Sequence, residues 1–167
     1  MYLYVVLKYL LLIICKNIME EIVINIFNAI AICSTMLPTL IGVGIGLQLA
    51  TEGICKSIDY DLDLTFSIMP MAFTSAPAIY SLLLYFYMTS KSPKTLMGAI
   101  QCLGGCLLQG CACASCGYIM GGIAKDAAIA RAKQKKFTSS YFLLLIFGEL
   151  IGLLSLVLGM LILSKAK

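Results

Sequence analysis

Histidine and tryptophan are absent from this chain, and charge is scarce: Asp, Glu, Lys and Arg make up 12% of it, against 61% hydrophobic residues. Without histidine the commonest zinc ligand is missing, and so is the side chain that titrates unaided near neutral pH. Without tryptophan the best residue for an aromatic cage is gone. The shortage of charge excludes more than either, because soluble domains are roughly a quarter charged. A mean hydropathy of +1.00 therefore predicts an integral membrane protein, with little for soluble-enzyme chemistry or a nucleic-acid partner to work with. The net charge of +4 is unevenly spread, since Lys125, Arg131, Lys133, Lys135 and Lys136 fall in one short connection. By the positive-inside tendency that connection faces the cytoplasm.

Eight cysteines are present, yet they do not read as a disulfide or metal framework. Cys102, Cys106, Cys111, Cys113 and Cys116 lie in one apolar helical run among Gly, Ala and Leu. In that setting cysteine behaves as a small hydrophobe. Cys113 and Cys116 form the sole CxxC, and thiolates converging in lipid are unfavourable, so no metal and no cofactor are expected.

The order of apolar runs and polar breaks predicts an all-α architecture of two tandem transmembrane hairpins, a four-helix bundle preceded by a short apolar helix. Residues 1–21 are the amino-terminal apolar extension, interrupted by Lys8 and Lys16 and closed by Glu20 and Glu21. Residues 22–88 form the first hairpin. Its first span ends near Ala50, its charged break from Thr51 to Asp63 reads as an aqueous loop, and its second span carries Pro70 and Pro77. Residues 95–167 form the second hairpin, with one span from Thr95 to Ala124 and another from Phe137 to Ser164. Mostly small residues advance by three or four along three of the four spans: Ala31, Thr35, Pro38, Gly42, Gly46 and Ala50; Ala99, Leu103, Cys106, Gly110, Ala114, Gly117, Gly121 and Ala124; Gly148, Gly152, Ser155 and Gly159. Such stripes allow helix backbones to approach closely in lipid. Gly42, Gly44 and Gly46 are not a phosphate-binding loop, because apolar helix flanks them on both sides.

Within the last span one carboxylate stands alone. Phe137 to Ser164 is about 42 Å of helix, longer than the hydrocarbon core is thick. Glu149 lies about 13 residues from Lys136 and about 16 from Lys165, close to the midplane, where an isolated charge costs roughly 3 kcal/mol or more. It needs a partner, a proton or a function. Laying the second span over the fourth matches Phe73 with Phe147, Ala78 with Gly152, Ser81 with Ser155 and Leu82 with Leu156. The two hairpins thus read as copies of one unit. At the position of Glu149 the first copy has Ser75. A repeated hairpin with one midmembrane acid suggests a proton or ion carrier.

These residues resemble a known family, the c-type proteolipids of V-type (vacuolar) proton-translocating ATPases. The stretch from Gly122 to Ala127, the run from Leu143 to Leu153 around Glu149 and the ending Leu161 to Lys165 carry the likeness best; Ser67 to Pro70 and Ala78 to Tyr80 support it in the first hairpin. Helix three departs from the family pattern, with cysteines where Gly and Ala are usual, and the amino-terminal segment is longer than usual. That extra segment resembles the c''-type relative, but the acid in the last helix matches the c type.

The resemblance implies a ring of such proteolipids, made with other copies and related chains. Each would carry a proton on Glu149 past a stator subunit that supplies an arginine. ATP hydrolysis in other subunits would drive the ring through the central stalk, in a vacuolar or other acidic endomembrane. The chain is then not an enzyme on its own. The family places a tyrosine where this chain has Tyr80, whose hydroxyl would bond Glu149. Gln109 is a second candidate to hold the acid's proton or help a sodium ion, and Ser75 is the third supporting residue. Sodium-carrying relatives add oxygen ligands on the second helix, where Ala76 and Pro77 stand here, which favours protons. The reading from another class is a structural or channel-forming four-helix protein whose glutamate serves assembly alone.

Overall fold

The computed structural model describes the backbone outside residues 1, 59–63, 92, 94, 135–136 and 167, and side chains outside 1–15, 59–67, 92, 94, 135–136, 138 and 167. Four helices follow one another: α1 (Tyr2–Ser57), α2 (Leu64–Lys91), α3 (Leu96–Lys133) and α4 (Thr138–Lys165). All four contain stretches long and apolar enough to cross a membrane. Runs this apolar form helices because lipid offers no partner for a free N–H or C=O, and the helix satisfies both internally. Thr95 caps α3, its side chain accepting from Gly98 N at 3.2 Å. Helix α1 continues without a break through Glu20 and Glu21, and α2 continues through Pro70 and Pro77.

The helices pair by repeat. Thr35 on α1 reaches Cys106 O on α3, and Thr39 reaches Gly110 O, each at 3.5 Å and each across 71 positions of sequence. A constant separation means that α1 and α3 run parallel and in register. The predicted small-residue stripes meet along this line. A Cβ on Gly42 would overlap the backbone of Ala114, one on Gly46 that of Gly117, and one on Gly121 that of Gly46. Only hydrogen fits where the two backbones lie this close. The carbonyl that Pro38 leaves without a helical donor, Ser34 O, lies over Gly110, where close approach lets a Cα–H serve as a weak partner.

Within each hairpin the helices are antiparallel. Cys113 of α3 meets Ser155 of α4, and Cys116 meets Gly148. Met36 of α1 meets Ser81 of α2. Helices α2 and α4 therefore also run parallel, in contact through Tyr80 and Glu149 and through Leu84 and Gly159. This arrangement is the expected one of four helices in two hairpins.

One boundary differs from expectation. The charged break from Thr51 reads as loop in the sequence, yet α1 stays helical to Ser57. The extension has its own packing: Gly53 rests on the backbone of Lys125, Ile54 and Ser57 are buried, and Glu52 pairs with Lys125 at 2.7 Å. Helix α3 likewise continues past Ala124 to Lys133, so the two helices lengthen together. Asp59, Asp61 and Asp63 lie outside the described residues.

Candidate functional site

Glu149 sits at the edge of the face that α4 turns away from the bundle. Its neighbours Ile146, Phe147, Leu150 and Leu153 are exposed apolar residues, whereas Gly148 and Gly152 are buried. The carboxyl is half-buried between these faces. A helix repeats every 3.6 residues, so a residue one step from a buried stripe points obliquely out of it. The small stripe of α4 lets the helix approach α3, and Glu149 is carried along the seam.

Tyr80 of α2 donates its hydroxyl to Glu149 Oε1. This pairing of a residue in each hairpin depends on α2 and α4 lying side by side. The tyrosine ring also rests on Gly152: a Cβ there would meet Tyr80 Cδ2 at 3.2 Å. A hydroxyl on a carboxylate supplies what a midmembrane acid needs in either state, since it donates to the charged form and leaves the second oxygen free to hold a proton. Among the described residues no cation lies against this carboxylate, and the ion pair of Glu52 with Lys125 is elsewhere.

The other two candidate residues stand apart from this pair. Gln109 is completely buried, and its Nε2 donates to Cys113 Sγ at 3.1 Å, while its Oε1 has no partner among the described residues. Met120 packs against Gly148, and Cys113 against Ser155. On that antiparallel register Gln109 is level with Gly159, about 15 Å along the helix from Glu149. Helix α3 runs on past Ala124 to Lys133, and its register against α4 sets Gln109 apart from the acid. Ser75 donates to Ala72 O of its own helix at 2.8 Å.

Two residues near Glu149 carry no mark in the sequence pattern. Cys116 Sγ donates to Gly148 O at 3.3 Å and lies 3.2 Å from where a Cβ on Gly152 would be. Met120 Sδ fills the space over Gly148. The signal for them is faint: glycines on α4 leave room for larger side chains opposite, and Cys116 and Met120 stand four apart on the face of α3 that also carries Cys113.

The sequence is similar to known membrane proteins. Residues 103–162, which contain Glu149, match the ATP synthase C-subunit family. The chain is 27% identical over 143 residues to a V-type proton ATPase proteolipid subunit of Dictyostelium discoideum, an overlap of 83% of this chain and 73% of that protein. It is 26% identical over 145 residues to the c subunit of the V-type proton ATPase of Candida tropicalis, covering 84% of this chain and 90% of that one.

Proposed function

From a chain whose residues 103–162 carry the ATP synthase C-subunit pattern, and which is similar to V-type proteolipids over most of its length, we propose a rotor-ring proteolipid of a V-type ATPase. Copies of the chain, with related proteolipids, form a ring in an acidic endomembrane such as the vacuole. Each copy carries one proton on Glu149. The chain is a non-hydrolytic subunit, and ATP hydrolysis elsewhere in the assembly turns the ring through its central stalk.

The observation that carries this reading is the Tyr80 to Glu149 hydrogen bond on the outward edge of α4. When Glu149 faces lipid, the neutral acid is the cheaper form, because an exposed charge at the midplane costs roughly 3 kcal/mol or more. When rotation brings it to a stator arginine, attraction between opposite charges favours the carboxylate and the proton leaves. Tyr80 keeps the carboxyl oriented through both states, and its hydroxyl donates to whichever form accepts. Another proton then binds Glu149 from the opposite side through a separate half-channel of the stator.

The residues around Glu149 favour a proton over sodium. A hard cation collects several oxygen ligands, whereas the described partner of Glu149 is a single hydroxyl, with the sulfur of Cys116 on the adjacent turn. Sulfur is a soft ligand that such a cation does not select.

The test is a Glu149→Gln variant in assembled, ATP-driven vesicles. Rings should form in normal amounts, and acidification should fall to background. Normal acidification by that variant would refute the proposal, and loss of the ring itself would point to the assembly role instead.

A further inference from the structure

The turn of α4 that holds Glu149 is seated on two sulfur atoms of α3, and we infer that Cys116 is a positioning residue that sets the hydrogen bond between Tyr80 and Glu149. The inference rests on Glu149 being the proton carrier. It concerns the face of α3 opposite α4, where sulfur lies against the glycines on the two sides of Glu149.

Cys116 is fully buried. Its thiol donates to Gly148 O at 3.3 Å, the carbonyl immediately before Glu149. One turn further along α4, a Cβ on Gly152 would lie 3.2 Å from Cys116 Sγ and 3.2 Å from Tyr80 Cδ2. Gly152 is therefore flanked by the thiol from α3 and the tyrosine ring from α2. Met120 Sδ, one turn from Cys116, fills the equivalent space over Gly148. The glycines on the two sides of Glu149 thus rest on two soft, polarisable atoms, which fill irregular gaps closely and so limit both rotation and sliding of the turn.

The consequence is geometric. Side chains must be held to about 0.5 Å for a constellation to work, and that precision comes from what packs behind them. Cys116 touches neither the carboxyl nor the proton. It holds the backbone on which Glu149 stands and lies across Gly152 from the ring that presents the Tyr80 hydroxyl. Replacing it with alanine removes the donor to Gly148 O and opens space beside Gly152, so α4 settles and the Tyr80 hydroxyl no longer meets Oε1 squarely. Because that hydroxyl donates to the carboxyl, loosening it should change how readily Glu149 exchanges its proton.

The experiment is carbodiimide labelling of Glu149 in intact assembled rings as a function of pH, since the reagent needs the protonated acid. Tyr80→Phe sets the direction and scale of the change in the labelling profile. Cys116→Ala is expected to move it the same way and by less, with a severalfold drop in ATP-driven acidification. The double variant should fall short of the sum, the mark of residues acting through one contact. Cys116→Ser keeps a donor to Gly148 O and should restore the wild-type profile.

An unchanged profile in Cys116→Ala, or full additivity with Tyr80→Phe, overturns the inference. Should Cys116→Ala yield no rings, Gly152→Ala supplies the second arm. Its added methyl presses on both Cys116 and Tyr80, so its profile must move, and an unmoved profile refutes the role. Failure of wild-type rings to label at Glu149 at all would instead sink the proton-carrier reading on which this rests.

Discussion

At the scale of single residues, the molecule turns a costly group into a usable one. A carboxyl near the midplane is unfavourable alone, and Tyr80 provides a donor while the outward edge of α4 leaves the second oxygen free. Tyr80→Phe should therefore keep the ring intact and lower ATP-driven proton flux by roughly tenfold or more, the loss of one hydrogen bond to a charged group. Flux at the wild-type rate would show that Tyr80 is only a core aromatic. Gln109→Leu is expected to leave flux nearly unchanged, because its amide is engaged with Cys113 and lies about 15 Å from the acid along the helix axis. Its effect should appear in stability, where removing an unpaired buried oxygen is neutral or favourable. Glu149 stands out in the sequence because one charge in a lipid-length run needs a partner, a proton or a function. Tyr80 comes from the family likeness, while Cys116 and Met120 are hidden among other apolar positions.

At the scale of elements, the parallel contact of α1 with α3 is the part of the fold that tolerates least. Gly46 and Gly121 face each other so closely that a Cβ on Gly121 would overlap the backbone of Gly46. Gly121→Val should abolish accumulation of the folded protein, measured as the amount extracted intact by mild detergent. Gly104, beside which nothing lies within 4 Å, is the matched control, and Gly104→Ala should be extracted normally. Glu52 and Lys125 join the ends of the same two helices, but the pair is open to water and screened by salt, so it adds little to stability. The small-residue stripes can be read from spacing alone, since recurrence at three and four marks one helix face. Which stripe meets which cannot, because every stripe is complementary to every other in size.

For the whole molecule, the two hairpins pack so that like helix lies beside like, α1 with α3 and α2 with α4. The midmembrane acid of the second hairpin then finds its donor in the first. Sodium at neutral pH should give no protection of Glu149 against carbodiimide, because the site offers one hydroxyl and neighbouring sulfur rather than a set of oxygens. Clear protection by sodium would overturn the choice of ion. Native mass measurement of the extracted ring should give a multiple-copy assembly, and a species at the 18.1 kDa of one chain would count against the rotor.

What the sequence by itself determined was everything that depends on local chemistry. Apolar runs of lipid length dictated helices, charged breaks dictated where the runs ended, and a lone carboxylate marked the centre of interest. It misjudged the break after Ala50, where α1 stays helical to Ser57 because Gly53 rests on the backbone of Lys125 and Ile54 and Ser57 are buried. Only the tertiary structure decided the neighbours of Glu149. Lipid supplies no preference between apolar helix faces, so partner and register follow from backbone approach at glycines, and those contacts bring Tyr80 and Cys116 to the seam while holding Gln109 a few turns away.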